Sequence, residues 1–273
     1  MQIPSQNECS STPTSPSRPP QPFADLTGNR ALVTGSSSGI GRAIALELAR
    51  GGADMTLHCR SSIEQVEGVA AECCELGRTC TVLQADLGNA QERAEFVGRA
   101  WGLGTGFDIW INNAGADLLT GPEARLEYAA KLDRLLEVDL RGTLLLSKDV
   151  GERMRHAGGG VILNIGWDQA DRGMEGESGE LFSAVKNAIM GFTRSLSVSL
   201  APQVRVNCIA PGWIRTAWGD QAGEVWQQRV LRETPLARWG TPADVANLAR
   251  FLVSREAAYL TGQVINVNGG AVR

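Results

Sequence analysis

The sequence predicts a single-domain, doubly wound α/β protein whose parallel sheet has seven strands. Short β-rich apolar runs alternate with helix-periodic stretches from Leu26 onward, without an internal repeat. A glycine-rich turn follows the first of these runs and opens a helix. Strands separated by helices are βαβ units, which place a parallel sheet between two helical layers. Crossovers of this kind are right-handed, so the chain winds to both sides of its starting strand.

Each element has its own signal. Residues 30–34 form the first strand, and residues 40–50 carry Ile40, Ile44 and Leu48 at helical spacing. Residues 54–58 read as the second strand, 62–76 as a helix and 80–84 as the third strand. Residues 107–111 are the fourth strand, and 127–154 contain a long helix. The fifth strand is 161–165, followed by a helix from about 181 to 200. Residues 204–209 and 264–267 complete the sheet.

Composition narrows the function. A hydrophobic fraction of 43% and a charged fraction of 21% are those of an ordinary soluble globular protein. The net charge of -4 argues against a nucleic-acid partner, which requires a basic face. No run approaches the ~18 apolar residues of a membrane span. The N-terminus lacks a basic region followed by an apolar one, so the reading is cytoplasmic, with no membrane partner. Cys9, Cys59, Cys73, Cys74, Cys80 and Cys208 show no C-x-x-C spacing, and only His58 and His156 could join them. Reduced thiols filling small gaps are expected, and no metal site. Residues 1–25 hold Pro4, Pro13, Pro16, Pro19, Pro20 and Pro22 among serines and threonines. That composition predicts a disordered tail ahead of one domain spanning 26–273.

The chemistry begins at Gly35-Ser36-Ser37-Ser38-Gly39-Ile40-Gly41. Glycines allow a tight turn and let backbone approach a pyrophosphate, whose charge sits at the helix N-terminus. Further motifs follow in order. They are Asp86-Leu87, Asn112-Asn113-Ala114-Gly115, Pro211-Gly212-Trp213-Ile214-Arg215-Thr216, Thr261-Gly262-Gln263 and Val267-Asn268-Gly269-Gly270. Over residues 26–273 the chain resembles the short-chain dehydrogenase/reductase family, in its 3-oxoacyl-acyl-carrier-protein-reductase-like branch. The resemblance implies a Rossmann fold and a nicotinamide dinucleotide held by the glycine turn, by Asn113, Ala114 and Gly115, and by Lys186. It also implies that Asp86 and Leu87 contact the adenine, and that Pro211, Gly212, Ile214 and Thr216 close over the nicotinamide and its phosphates. A homo-oligomer, tetramer or dimer, is expected from relatives that pair through the helices after the fourth and fifth strands. Residues 213–232, with Trp213, Trp218 and Trp226, are expected to form a mobile lid.

The end of the second strand bears on which nucleotide binds. An acidic residue there would accept the adenine ribose hydroxyls and repel a 2′-phosphate. Arg60 instead supplies a cationic fork, and Ser61 and Ser62 add hydroxyl donors. NADP(H) is therefore preferred, with NAD(H) as the other possibility. The alternative reading of Arg60 is a cation that only solvates a strand end.

At the catalytic end the family pattern is Asn-Ser-Tyr-Lys, and this sequence departs from it. Lys186 stands in place, but Phe182 occupies the tyrosine position of Tyr-x-x-x-Lys. Trp167 aligns with the serine, and no Ser, Thr or Tyr lies between residues 161 and 177. Asp139 stands where the asparagine is expected, and an ion pair with Lys186 is its expected role. Phenylalanine keeps a ring and deletes the group that transfers the proton. Tyr128 and Tyr259, the only tyrosines, are remote from Phe182 in sequence. Two readings stay open. One is a non-catalytic NADP(H)-binding protein. The other is an active carbonyl or alcohol oxidoreductase using Asp168 or water as proton donor, since Trp167 and Phe182 would hold a carboxyl in apolar surroundings.

Overall fold

The computed structural model describes residues 22–273. Seven parallel strands, β1 (Arg30–Val33), β2 (Asp54–Cys59), β3 (Cys80–Gln84), β4 (Ile109–Asn112), β5 (Gly160–Ile165), β6 (Val204–Pro211) and β7 (Val264–Val267), lie in the order β3-β2-β1-β4-β5-β6-β7. Ala31 in β1 pairs with Met55 on one side and Ile109 on the other. The chain leaves β1 toward β3, then crosses back to β4. The crevice where strand order reverses, at the carboxyl ends of β1 and β4, is where such sheets bind ligands.

Helices cover both faces, and the side-chain alternation of the strands decides which face each residue feeds. Helices α1 (Gly39–Arg50), α2 (Ile63–Glu75) and α9 (Pro242–Val253) cover the face holding Ala31, Val33 and Leu57. Helices α3 (Ala90–Trp101), α5 (Gly142–His156) and α6 (Glu177–Leu200) cover the other, which holds Leu32, Trp110 and Ile162. Strands buried on both faces read as continuous apolar runs, which is why β1 and β4 are legible though only four residues long.

The structure also differs from expectation. Helix α6 begins at Glu177, one turn before the predicted start near Leu181. The long helix expected over 127–154 is α4 (Tyr128–Leu135) joined to α5 through a π-helical turn, Leu136–Arg141. Residues 213–232 are not a bare loop, because they contain α7 (Ala217–Gln221) and most of α8 (Glu224–Glu233). The spacing predicts neither α3 nor α9.

Residues just before 26 also pack on the domain. Phe23 stacks on Phe251 with ring centroids 6.0 Å apart, and Arg250 Nε donates to the carbonyl of buried Ala24 at 3.0 Å. The remainder of the expected tail, residues 1–21, lies outside the described residues. Among the described residues no helix is long and apolar enough to cross a membrane.

Candidate active site

The glycine turn is shaped by close backbone approaches that only glycine permits. Gly35 has φ of 62°, and a Cβ there would lie 2.8 Å from Ala114 Cα. A Cβ on Gly41 would lie 2.1 Å from the Gly35 carbonyl oxygen and 2.3 Å from Asn113 Nδ2. Thr34 and Asn113 lock the turn to the end of β4. The Thr34 hydroxyl accepts from the Asn113 and Ala114 amides, and Asn113 Nδ2 donates to the Thr34 and Gly35 carbonyls. Ser38 stands at the N-cap of α1 and its side chain makes no cap hydrogen bond. The first amides of α1 therefore face the crevice without a side-chain acceptor, which suits an anion. A cradle that a single Cβ would fill, at the head of a twelve-residue helix, fits a dinucleotide pyrophosphate.

Two buried residues of this end brace the turn. Ser36 is fully buried, and its hydroxyl accepts from the His58 amide at 3.0 Å, so it braces β2 instead of facing the crevice. Ser37 and Ser38 are the more open members of the turn. His58, which no motif signals, supports the turn from behind. Its Nδ1 accepts from the Gly35 amide at 3.0 Å, and its Nε2 pairs with the Ala85 carbonyl at 3.0 Å. Burial pushes the imidazole down to about 4, partly opposed by the Ala85 hydrogen bond, so it is neutral at pH 7.

Beyond the turn lies the predicted adenosine end. Arg60 and Ser61 are exposed just past β2, and the Arg60 carbonyl accepts from Gln84 Nε2 at 3.0 Å. Arg60 Nη1 reaches Glu123 Oε1 at 2.9 Å. Asp86 accepts from the Gly88 amide at 2.8 Å, and Leu87 is buried.

At the other end, Lys186 Nζ lies 3.0 Å from Asp139 Oδ2 and 3.3 Å from the Ile165 carbonyl. The π-helical turn aims Asp139 inward, where its Oδ1 accepts from the Ala116 amide at 2.8 Å. Asp139 is only 1% exposed. Gly115 makes room for it, since a Cβ there would sit 2.8 Å from Asp139 Oδ2. Phe182 lies one turn before Lys186 on the same face of α6. Its ring meets Trp167 edge to face, with centroids 6.3 Å apart.

Lys186, Phe182 and Trp167 line one cavity of about 650 Å³ at the carboxyl edge of the sheet. It runs from Ile40 and Thr216 past Lys186 to Trp167, Phe182 and Met174. Pro211, Gly212 and Ile214 form one wall, and Thr216 lies within 3.6 Å of a Cβ placed on Gly39. Trp213, Trp218 and Trp226 close the far side, and Trp239, which the sequence reading did not single out, completes their cluster. Ser178 also lines the cavity, two turns before Lys186.

Asp168 does not line it. Its carboxylate points toward Gly212 and accepts from Asn268 Nδ2 at 3.1 Å, while Oδ1 has no hydrogen-bond partner among the described residues. Burial pushes this carboxyl up to about 6 against the pull of the Asn268 hydrogen bond. Tyr128, remote from Phe182 in sequence, comes within 3.4 Å of Glu180, but it too stays outside the cavity lining.

Comparison with known proteins agrees with this architecture. The family described as Enoyl-(Acyl carrier protein) reductase matches residues 35–272. Nodulation protein G of Rhizobium sp. is 37% identical over 248 residues, covering 90% of this chain and 98% of that protein. A 3-oxoacyl-[acyl-carrier-protein] reductase of Synechocystis sp. is 36% identical over 253 residues, covering 90% and 98%. Among solved structures, a 7α-hydroxysteroid dehydrogenase complexed with NADH and 7-oxo glycochenodeoxycholic acid superposes with a TM-score of 0.82 at 31% identity, covering 91% of this chain and 96% of that one. A short-chain dehydrogenase from Burkholderia cenocepacia in complex with NADP gives 0.81 at 33%, covering 90% and 98%.

Proposed function

The chain belongs to the short-chain dehydrogenase/reductase family, in its 3-oxoacyl-acyl-carrier-protein-reductase-like branch, and from that premise we propose that it binds NADP(H) without performing the family's standard proton transfer. Gly35, Ser37, Ser38, Gly39, Ile40 and Gly41 would hold the pyrophosphate, and Arg60 with Ser61 the 2′-phosphate. Asp86 and Leu87 would meet the adenine. Asn113, Ala114, Gly115, Lys186, Pro211, Gly212, Ile214 and Thr216 would border the nicotinamide half. The dinucleotide, where bound, supplies hydride chemistry, and the protein's part is to orient it and to handle the accompanying proton.

The observation that carries the reading is the Phe182–Lys186 face of α6. The ring beside Lys186 has no hydroxyl, and the ammonium is already paired with Asp139 at 3.0 Å. Losing the acid–base group costs ~10²–10⁴-fold, and groups acting as a unit lose most of that with the first removal. Incubation with NADPH and a panel of ketones and aldehydes tests this. Oxidation of the cofactor at ordinary enzymatic rates, ~1–10³ per second, would overturn it.

One observation favours a second reading. Asp168, with its carboxyl pushed up to about 6, is a competent acid near neutral pH, although it faces Asn268. Turnover abolished by Asp168→Asn would establish it. Turnover that survives Asp168→Asn and vanishes with Lys186→Ala would leave a water-mediated route. A homo-oligomer belongs to the same proposal, because Leu145 on α5 and Val198 on α6 are 55% and 78% exposed on the two helices expected to pair.

A further inference from the structure

The cation that would take a 2′-phosphate already holds an oxyanion. Arg60 Nη1 lies 2.9 Å from Glu123 Oε1, and the same oxygen lies 3.3 Å from Arg134 Nε. Arg134 Nη2 is in turn 3.7 Å from Asp86 Oδ1. The short 3-10 turn Pro122–Arg125, in the segment between β4 and α4, brings Glu123 to the mouth of β2. Four side chains from four segments thus form an alternating chain of charge, Arg60–Glu123–Arg134–Asp86, across the adenosine end.

We propose that Glu123 is a specificity-determining residue, a built-in competitor that occupies Arg60 and tempers the preference for the 2′-phosphorylated nucleotide. The proposal rests on the reading of Arg60 as the 2′-phosphate ligand. A carboxylate and a phosphate cannot share one guanidinium edge without like-charge repulsion. Binding of NADPH therefore requires Glu123 to yield Arg60, and Arg134 is placed to retain it. Binding of NADH makes no such demand, because a ribose hydroxyl carries no charge. Arg60 and Asp86 are about half and one-third exposed, so the competition is a surface ion-pair effect, sensitive to salt and modest in size.

The test is calorimetric titration of the full chain with NADPH and with NADH, for wild type, Glu123→Gln, Arg60→Ala and the double variant. Glu123→Gln is expected to tighten NADPH about 2- to 5-fold, the upper span of a surface ion pair. NADH should change less than about 2-fold, and the NADPH gain should disappear when Arg60 is alanine. Raising salt should shrink the gain. If Glu123→Gln leaves NADPH unchanged or weaker while Arg60→Ala still lowers it, the competitor role is wrong and the Arg60 reading stands. If Arg60→Ala leaves the NADPH-to-NADH ratio unchanged, the Arg60 reading fails and the competitor role with it. Equal effects of Glu123→Gln on both nucleotides would mark Glu123 as an adenosine contact and overturn the proposal.

Discussion

The two ends of the cavity are built from different materials. The nucleotide end is made of backbone: Gly35 and Gly41 admit approaches of 2.8 and 2.1 Å to where a Cβ would be, and Thr34, Asn113 and His58 hold that backbone still. The far end is dominated by rings, with Trp167 against Phe182 and three tryptophans opposite, beside Glu175, Glu177 and Ser178 around the start of α6. A backbone site accepts whatever chemistry its amides and helix terminus dictate. A ring-lined site excludes water and offers apolar surface, and the ring at Phe182 carries no hydroxyl. Lys186 sits at the boundary, and Asp139 holds its ammonium.

The largest expected effect would erase the difference between the ends. Phe182→Tyr combined with Trp167→Ser places a hydroxyl at each of the two facing ring positions. We expect carbonyl reduction with NADPH to rise on the order of 100-fold or more over wild type, read as cofactor oxidation. No gain, with NADPH still bound, would mean that the Asp139–Lys186 pair blocks the chemistry independently.

A comparable change at the other end should be purely destructive. Gly41→Ala forces a Cβ into the Gly35 carbonyl, an overpacking cost of about 1–3 kcal/mol concentrated on the turn. NADPH affinity should fall on the order of 10- to 100-fold in calorimetry, against far smaller losses for substitutions among the tryptophans.

The buried titratable groups sharpen the contrast through pH. His58, at about 4, lies below its ordinary 6.5, so its contribution is present above pH 6.5 and lost as pH falls toward 4. Asp168, at about 6, lies above its ordinary 3.8, so the fold gains stability from it as pH falls from 6 to 3.8. Between pH 6.5 and 4 the two oppose each other. Asp168→Asn should raise stability at pH 7 by about 1–2 kcal/mol, lose that advantage near pH 4, and reveal a steeper acid decline set by His58. Denaturant midpoints across pH read this directly, and parallel curves for variant and wild type would contradict it.

The smallest effect should come from Asp139→Asn. The amide can still accept from Ala116 but cannot pair with the Lys186 ammonium. NADPH affinity should fall about 2- to 5-fold, the worth of a charge-assisted contact that positions a third group. Unchanged affinity would show that Lys186 needs no such support.

How much of this was legible follows from the same division. The strands and the glycine turn are local patterns, so β1, α1 and the motif after β4 were readable directly. Helix α3 was not, because only Arg93, Phe96, Val97 and Ala100 are buried in a polar helix. Helices α7 and α8 were not, because α7 is only five residues long and α8 buries only Val230 beneath the tryptophan cluster. Ser178 escaped notice because the predicted helix started a turn late, which removed its i, i+4 relation to Phe182 and Lys186. The Asp139–Lys186 pair was anticipated from motif positions, but nothing local announces the π-helical turn that delivers it. Glu123 had no signal at all, being placed by tertiary contact alone.

The central proposal is that a dinucleotide site stands beside a Phe182–Lys186 face that lacks a tyrosine hydroxyl. Calorimetric titration of the intact protein with NADPH, and separately with NADH, tests its first half most directly. The account predicts micromolar NADPH binding and weaker NADH binding. Absence of binding for both nucleotides would contradict it and leave the fold as a scaffold.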